Sequence, residues 1–333
     1  PIETIDRAIH ELRGRIGDAP FGMNLIHSPS EPQHEAAVVD LYLRRGVRLV
    51  SASAYLGLTL PLLRYRLHGI KRDASGTVVT PNRVVAKVSR VEVARKFLAP
   101  APDEMLRELV RIGELSPQQA EWAGQVPIAD DLTAEADSGG HTDNRPALTL
   151  LPTMQAVRDE SQARYGFATP VRVGLAGGIA TPEAAAAAFA MGAAYVLTGS
   201  VNQSCVEAGT SDAVRQLLAQ ARQADVTMAP AADMFEMGVN VQVLKRGTMF
   251  AMRARKLYDV YRTCDSVGAL SPEQRTLLER DIFRQSLDDV WTDTKRFFRQ
   301  RDPAQIERAE RDPKHKLALI CRSYLGRASI WAN

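Results

Sequence analysis

His141 is the residue of this chain whose type and setting most directly suggest chemistry. It follows Gly139 and Gly140 at the end of a polar segment that has the composition of a β-strand. Imidazole titrates near neutral pH, and barrel enzymes place catalytic groups where strands end. The sequence therefore marks His141 as a candidate catalytic residue on an exposed loop, with a structural role as the alternative.

Two glycine-containing pairs follow consecutive apolar runs and could bind an anion. One run stops at Gly177-Gly178, and the next, which begins at Tyr195, stops at Gly199-Ser200. Glycine lets backbone N–H groups approach an anion closely, and a helix that starts behind it adds a positive dipole end. The repetition predicts a phosphate site, and tight turns without a ligand are the alternative.

Acidic side chains precede His141 and could serve as metal ligands or as acid–base groups. Alternation along a strand would place Asp131, Glu135 and Asp137 on one face and Asp130 on the other. Buried acids need cations, hydroxyls or a ligand as partners. Because no second histidine or carboxylate cluster has ligand spacing, the pattern favours hydrogen bonding and no bound metal, with a divalent metal site as the alternative.

Two further polar residues, Asn24 and Lys87, stand inside otherwise apolar strand-like segments. Buried polar groups need hydrogen-bonding partners, and the ring of a bound cofactor would supply them. An internal hydrogen bond or salt bridge would satisfy each of them equally well.

The elements that must position these residues follow an α/β pattern. Helical segments alternate with six strand-like segments, which begin at Phe21, Val47, Val84, Asp131, Val171 and Tyr195. A closed (β/α)₈ TIM barrel needs eight strands, so we interpret the chain as such a barrel with its first two strands missing from the sequence. An open doubly wound sheet is the alternative, although no Gly-x-Gly-x-x-Gly follows a first strand.

The second part of the chain departs from this alternation. Residues 225–238 have the composition of a methionine-rich loop or helix pair, and residues 250–333 are helical in pattern. We therefore expect a barrel over residues 1–205, followed at 206–333 by a substrate-side segment and a C-terminal helical appendage.

The composition excludes several classes of protein. Of 333 residues, 24% are charged and 45% apolar, which is ordinary for a globular chain, and a net charge of +3 is too small to indicate nucleic-acid binding. Cys205, Cys264 and Cys321 lack metal-ligand spacing and predict reduced thiols in a cytoplasmic protein. No apolar run approaches the roughly 20 residues of a membrane span.

Several motifs resemble a known family. The segments Phe-Gly-Met-Asn-Leu-Ile at 21–26, Asp-Ser-Gly-Gly-His at 137–141, Ala-Gly-Gly-Ile at 176–179 and Leu-Thr-Gly-Ser at 197–200 resemble the nitronate monooxygenase (2-nitropropane dioxygenase) superfamily of FMN barrels. Longer blocks at 51–56, 135–146, 199–211 and 231–238 resemble the PfaD-type trans-acting enoyl reductases of polyketide and polyunsaturated fatty acid synthases. The likeness covers nearly the whole chain.

The resemblance implies an FMN enzyme that uses NADPH to reduce an α,β-unsaturated thioester on an acyl carrier protein. It places His141 near the reacting carbon and leaves open whether this residue protonates the α-carbon or positions the thioester. The cofactor-binding residues that it implies are Gly177, Gly178, Gly199 and Ser200 at the FMN phosphate, Asn24 and Lys87 facing the isoalloxazine, and Asp137, Gly139 and Gly140 beside His141. Family members also have a flavin-contacting strand before the first helix, which this sequence lacks.

Two alternative functions remain open. A flavin oxidase acting on small nitro compounds and a non-catalytic flavin-binding component of a synthase are the alternatives to the reductase.

The partners implied are the carrier protein and a second copy of the chain, as a homodimer. A basic group after the methionine-rich segment would suit an acidic carrier; it comprises Lys245, Arg246, Arg253, Arg255, Lys256 and Arg262. The motifs do not distinguish a polyketide pathway from a polyunsaturated fatty acid pathway.

Overall fold

The computed structural model describes residues 1–27 and 32–331. Their contacts divide the chain into two compact units. The first unit comprises Pro1–Asp137 and Asp143–Leu197, and the second comprises Ser138–Thr142 and Thr198–Asn333. The domain division expected at residue 205 stays a prediction.

The first unit contains the six expected strands in one parallel sheet. In sheet order they are Met23–Ile26, Leu49–Ser53, Arg83–Val88, Asp131–Glu135, Arg172–Ala176 and Val196–Leu197. Each strand pairs with the one before it in the chain, whereas a doubly wound sheet reverses its order at a switch point. The sequential order therefore confirms a TIM-barrel type of fold.

Helices cover this sheet and bury its outer face. Val50, Val84 and Leu132, on three neighbouring strands, are completely buried in the apolar core. The helices of this unit are Ile2–Ile16, Pro32–Arg44, Leu60–Leu67, Val91–Phe97, Asp103–Arg111, Pro117–Ala123, Ala147–Tyr165 and Pro182–Ala190. A short hairpin pairs Lys71–Arg72 with Val78–Val79. The helix after the Gly177-Gly178 turn begins as expected, because the Thr181 side chain accepts a hydrogen bond from the Ala184 N–H.

The second unit contains an antiparallel sheet that the sequence did not suggest. Strand Asn240–Leu244 pairs on one side with Val226–Pro230 and on the other with Gly140–His141. The interpretation of residues 225–238 as a loop or helix pair was therefore wrong for the first part of that segment. These strands are stabilised by partners distant in the chain, and such contacts override local propensity.

Helices make up most of the remaining second unit, as expected for the appendage. They are Asp212–Ala219, Phe250–Thr263, Pro272–Thr276, Leu287–Arg301, Ala304–Arg311 and Pro313–Trp331, with a π-helix at Leu277–Phe283 and 3₁₀ turns at Ser200–Ser204, Gln223–Asp225, Phe235–Met237 and Val267–Ala269. They enclose an apolar core of their own that contains Leu257, Leu317 and Ile320. In the part of the chain that the structure describes, no helix is long and apolar enough to span a membrane.

Candidate functional site

Lys87 and Asn24 both have protein partners in the first unit. The Lys87 Nζ lies 2.8 Å from Glu135 Oε1 on the adjacent strand, and both side chains are about three quarters buried. The Ser53 hydroxyl donates to Asn24 Oδ1 over 3.0 Å. Because Lys87 is paired with Thr133 in the sheet register, Lys87, Thr133 and Glu135 project from the same face. Lys87 is thus largely buried and paired within the protein, whereas Asn24 is exposed and not buried as its apolar segment suggested.

The acids of the fourth sheet strand are held by cations. Asp131 is buried and accepts two hydrogen bonds from Arg172, at 2.6 and 2.8 Å. Asp130 accepts one from Arg66 at 2.7 Å. Such pairing satisfies buried carboxylates without a metal. The described residues contain no group of three side chains arranged to hold a metal ion.

Asp137 lies beyond the end of the strand that holds the other acids. The strand ends at Glu135, and Asp137 is an exposed residue whose N–H donates to the Arg145 carbonyl over 2.9 Å. Alternation applies only while the backbone stays extended in the sheet, so the face expected for Asp137 stays a prediction.

Tyr195 has a largely buried side chain that the sequence did not single out. Its hydroxyl lies 2.7 Å from Thr133 Oγ1, and burial raises its pKa. A Cβ added at Gly174 would lie only 2.4 Å from the Tyr195 ring. The glycine inside the strand therefore makes room for the ring, and an interior strand glycine is a signal that could have indicated such a close approach.

The two glycines of the Gly177-Gly178 turn have different surroundings. Both have positive φ angles, of 92° and 72°. A Cβ on Gly177 would lie 2.6 Å from the carbonyl oxygens of Ala136 and Asp137, whereas a Cβ on Gly178 would meet nothing within 4 Å. Gly177 is thus required for packing, and Gly178 leaves open space beside the backbone shortly before a capped helix. Open backbone before a helix N-terminus is compatible with the phosphate group that the resemblance implies, and the role of both glycines at that group stays a prediction.

In the second unit the structure brings Gly139 and Ser200 together. A Cβ on Gly139 would lie 2.7 Å from the Ser200 hydroxyl oxygen. Gly140, with a φ of 85°, and Gly199 both border open space. Four of the expected cofactor-binding residues therefore belong to this unit, and their role at the cofactor stays a prediction.

His141 lies on a short strand and not on a loop. It pairs with Val241, because the two glycines before it let the chain turn into the sheet edge. Its side chain is 51% exposed, and its Nε2 lies 3.2 Å from Asp233 Oδ1. If Asp233 holds the proton on Nε2, then Nδ1 is the nitrogen free to exchange a proton with a substrate.

The two partners shift each other's ionisation. The hydrogen bond that His141 donates to the Asp233 carboxylate raises the pKa of His141 against a smaller opposing effect of burial, and the same bond lowers the pKa of Asp233. The stabilisation linked to His141 is fully present below its unfolded pKa and is lost as pH rises through the folded pKa. The contribution of Asp233 is present above its unfolded pKa and is lost as pH falls through its folded pKa.

The Asp233→Asn substitution is expected to lower the pKa of His141 towards its ordinary value, because the amide removes the carboxylate that favours imidazolium. An NMR titration of the histidine ring protons in both proteins measures this shift. If His141 had the same pKa in both proteins, the result would contradict an interaction between His141 and Asp233.

A family profile described as nitronate monooxygenase matches residues 2–261, and one described as the inserted helical domain of acyl-carrier-protein S-malonyltransferase matches residues 264–333. The enoyl reductase domain of MlnA, from the macrolactin biosynthesis cluster of Bacillus amyloliquefaciens, has a TM-score of 0.94 at 38% identity, with 100% of this chain and 75% of that one covered.

Two longer proteins are also similar in sequence. One component of the polyunsaturated fatty acid synthase of Thraustochytrium sp. is 47% identical over 337 residues, which cover 100% of this chain and 22% of that protein. Polyketide biosynthesis protein PksE of Bacillus subtilis is 45% identical over 324 residues, which cover 97% of this chain and 42% of that protein. The chain thus spans less than half the length of either relative.

The profile match covers most of the chain, including every strand of the parallel sheet and both His141 and Asp233. The chain therefore belongs to the nitronate monooxygenase family.

Proposed function

We propose that this chain is an FMN-dependent enoyl reductase that uses NADPH to reduce the α,β double bond of an enoyl thioester carried by an acyl carrier protein. The similarity over the whole chain to the enoyl reductase domain of MlnA is the observation that carries the proposal. The similarity to synthase proteins of polyunsaturated fatty acid and polyketide biosynthesis supports the carrier-bound substrate.

The residues of the chain have distinct tasks in this reaction. FMN supplies the reversible two-electron chemistry that no side chain provides. The Gly178 backbone would help to hold its phosphate, and the Lys87 ammonium, held at 2.8 Å by Glu135, would face its ring. His141 would protonate the α-carbon of the substrate from Nδ1, or position the thioester, while Asp233 retains the proton on Nε2.

The absorption spectrum of the purified protein tests this proposal. We expect flavin bands after reconstitution with FMN, and we expect NADPH to bleach them in the absence of oxygen. A reconstituted protein that binds FMN but does not react with NADPH would instead favour a non-catalytic flavin-binding role within a synthase.

The family membership favours one second function, a flavin oxidase that acts on small nitro compounds. In that case a nitronate would reduce the bound flavin and oxygen would reoxidise it, whereas an enoyl thioester would have no effect. Anaerobic reduction by a nitronate in preference to NADPH would support this alternative.

The basic group proposed for carrier docking is only partly free to contact a partner. Arg255 donates to Thr227 and to the Met228 carbonyl, at 3.0 and 2.9 Å, so it supports its own unit. Lys245 and Lys256 are exposed, as Arg255 is, but they make no such hydrogen bonds to the described residues. These two lysines are therefore the better residues with which to test an electrostatic contact.

Reversing both charges, with Lys245→Glu and Lys256→Glu, is expected to raise KM for a carrier-bound enoyl substrate several-fold and to leave a short soluble thioester unaffected. The difference should shrink at high salt, because exposed charges are screened over about 8 Å at physiological ionic strength. The double variant Arg299→Glu and Arg301→Glu, on another helix, is the control for the same change in net charge. Equal effects on both substrates would exclude docking at this group.

The homodimer and the cytoplasmic location stay predictions.

A further inference from the structure

The turn that carries Asp233 is fixed within the second unit. The Ala231 N–H donates to the Val239 carbonyl over 2.9 Å and closes the turn. Phe235 is completely buried, and its ring packs edge to face on Tyr258 with centroids 5.3 Å apart. The Asp233 side chain is 59% exposed, and hydrogen bonds from the backbone N–H groups of Asp233 and Met234 help to lower the pKa of its carboxyl. Its direction is therefore set by the backbone of the turn.

Both members of the His141–Asp233 pair depend on the same strand. Strand Asn240–Leu244 pairs with His141 through Val241, and the turn containing Asp233 leads directly into it. A displacement of the turn against this strand would therefore lengthen the 3.2 Å contact between the two side chains.

Arg322, on helix Pro313–Trp331, ties the turn to the helical part of the unit. Its Nε donates to the Ala232 carbonyl over 2.8 Å, and its Nη1 donates to Glu236 Oε1 over 3.1 Å. Ala232 precedes Asp233 directly, and Glu236 follows it by three residues. The buried His315 of the same helix lies 3.7 Å from Glu236. The guanidinium thus links the two sides of the turn at the point where Asp233 projects.

We propose that Arg322 is a positioning residue that acts through the Asp233 turn to orient His141. A catalytic group must be held within a fraction of an ångström of its productive geometry, and an exposed carboxylate cannot achieve this alone. The C-terminal helix would then contribute to catalysis in addition to its packing. The proposal rests on the proposed function of His141 but can be tested independently of it.

The test replaces Arg322 with methionine, which keeps the apolar stem and removes both hydrogen bonds. Loss of a cation, with Glu236 left without its arginine partner, would by electrostatics alone raise the pKa of His141. Loss of the hydrogen bonds that position the turn should weaken the contact between His141 and Asp233, and this would lower the pKa of His141. We expect the pKa measured by NMR to fall and kcat for an enoyl thioester to decrease about 10- to 100-fold, with KM for NADPH unchanged.

Arg327→Met is the matched control, because this arginine of the same helix pairs with Asp293 at 3.1 Å. It should leave the pKa of His141 and kcat unchanged. Arg322→Lys, which keeps the charge, should lower both quantities less than methionine does, and it serves as the test if the methionine variant does not fold. An unchanged or raised pKa with unchanged kcat would overturn the proposal. A lowered pKa in a protein that reduces no enoyl thioester would retain the positioning role and refute the proposed function.

Discussion

Replacing His141 with alanine is expected to slow reduction of an enoyl thioester by about 10²- to 10⁴-fold, the range typical of a lost general acid. FMN binding and reduction by NADPH should persist, because the imidazole is half exposed and contacts Asp233 within its own unit. Single-turnover measurements of the two half-reactions separate these effects.

A second variant distinguishes the two roles left open for this residue. His141→Gln can still donate a hydrogen bond to a thioester but cannot transfer a proton near neutral pH. If His141 protonates the α-carbon, glutamine should be as slow as alanine. If it only positions the thioester, glutamine should recover a large part of the rate. His10→Ala, an exposed histidine on the first helix, should have no effect. Loss of flavin with a normal second half-reaction after reconstitution would contradict an acyl-site role.

Gly178→Asp is expected to abolish FMN binding while the protein still folds. The new side chain would occupy the open space beside the backbone, and its negative charge would repel a phosphate. The positive φ of 72° adds a strain of about 1–2 kcal/mol, which a domain of this size tolerates. Flavin content after purification and after reconstitution measures the effect.

Gly113→Asp is the control for this substitution, because Gly113 also has a positive φ, of 79°, and also borders open space. It should lower stability to a similar extent and leave flavin content unchanged. Gly177→Ala, in contrast, should disturb folding itself, since its Cβ would collide with two backbone carbonyls. Full flavin content in the Gly178→Asp protein would refute the phosphate site.

The parallel sheet could be predicted because its signals are local. Apolar runs punctuated by glycine and by helix caps indicated all six strands and the helix after Thr181. The strand pair Val226–Pro230 and Asn240–Leu244 was missed because its stability depends on pairing between segments and not on composition.

The sequence indicated single residues of the candidate site but not the partners that these residues contact. His141 could be recognised from its glycines and strand end, but its partner Asp233 lies 92 residues further along the chain. Likewise, Lys87 was identified as a polar residue in an apolar strand, whereas its ion pair with Glu135 required the register between neighbouring strands. A single sequence carries no signal for such pairs.

Enoyl reduction is tested most directly by the mass of the acyl group on a carrier protein. The FMN-loaded protein is incubated with NADPH and a carrier-bound enoyl thioester without oxygen, and the acyl group is then analysed by mass spectrometry. We predict that its mass increases by that of two hydrogen atoms and that the increase requires both FMN and NADPH. An unchanged acyl mass, while NADPH still bleaches the flavin bands, would contradict the enoyl reductase function.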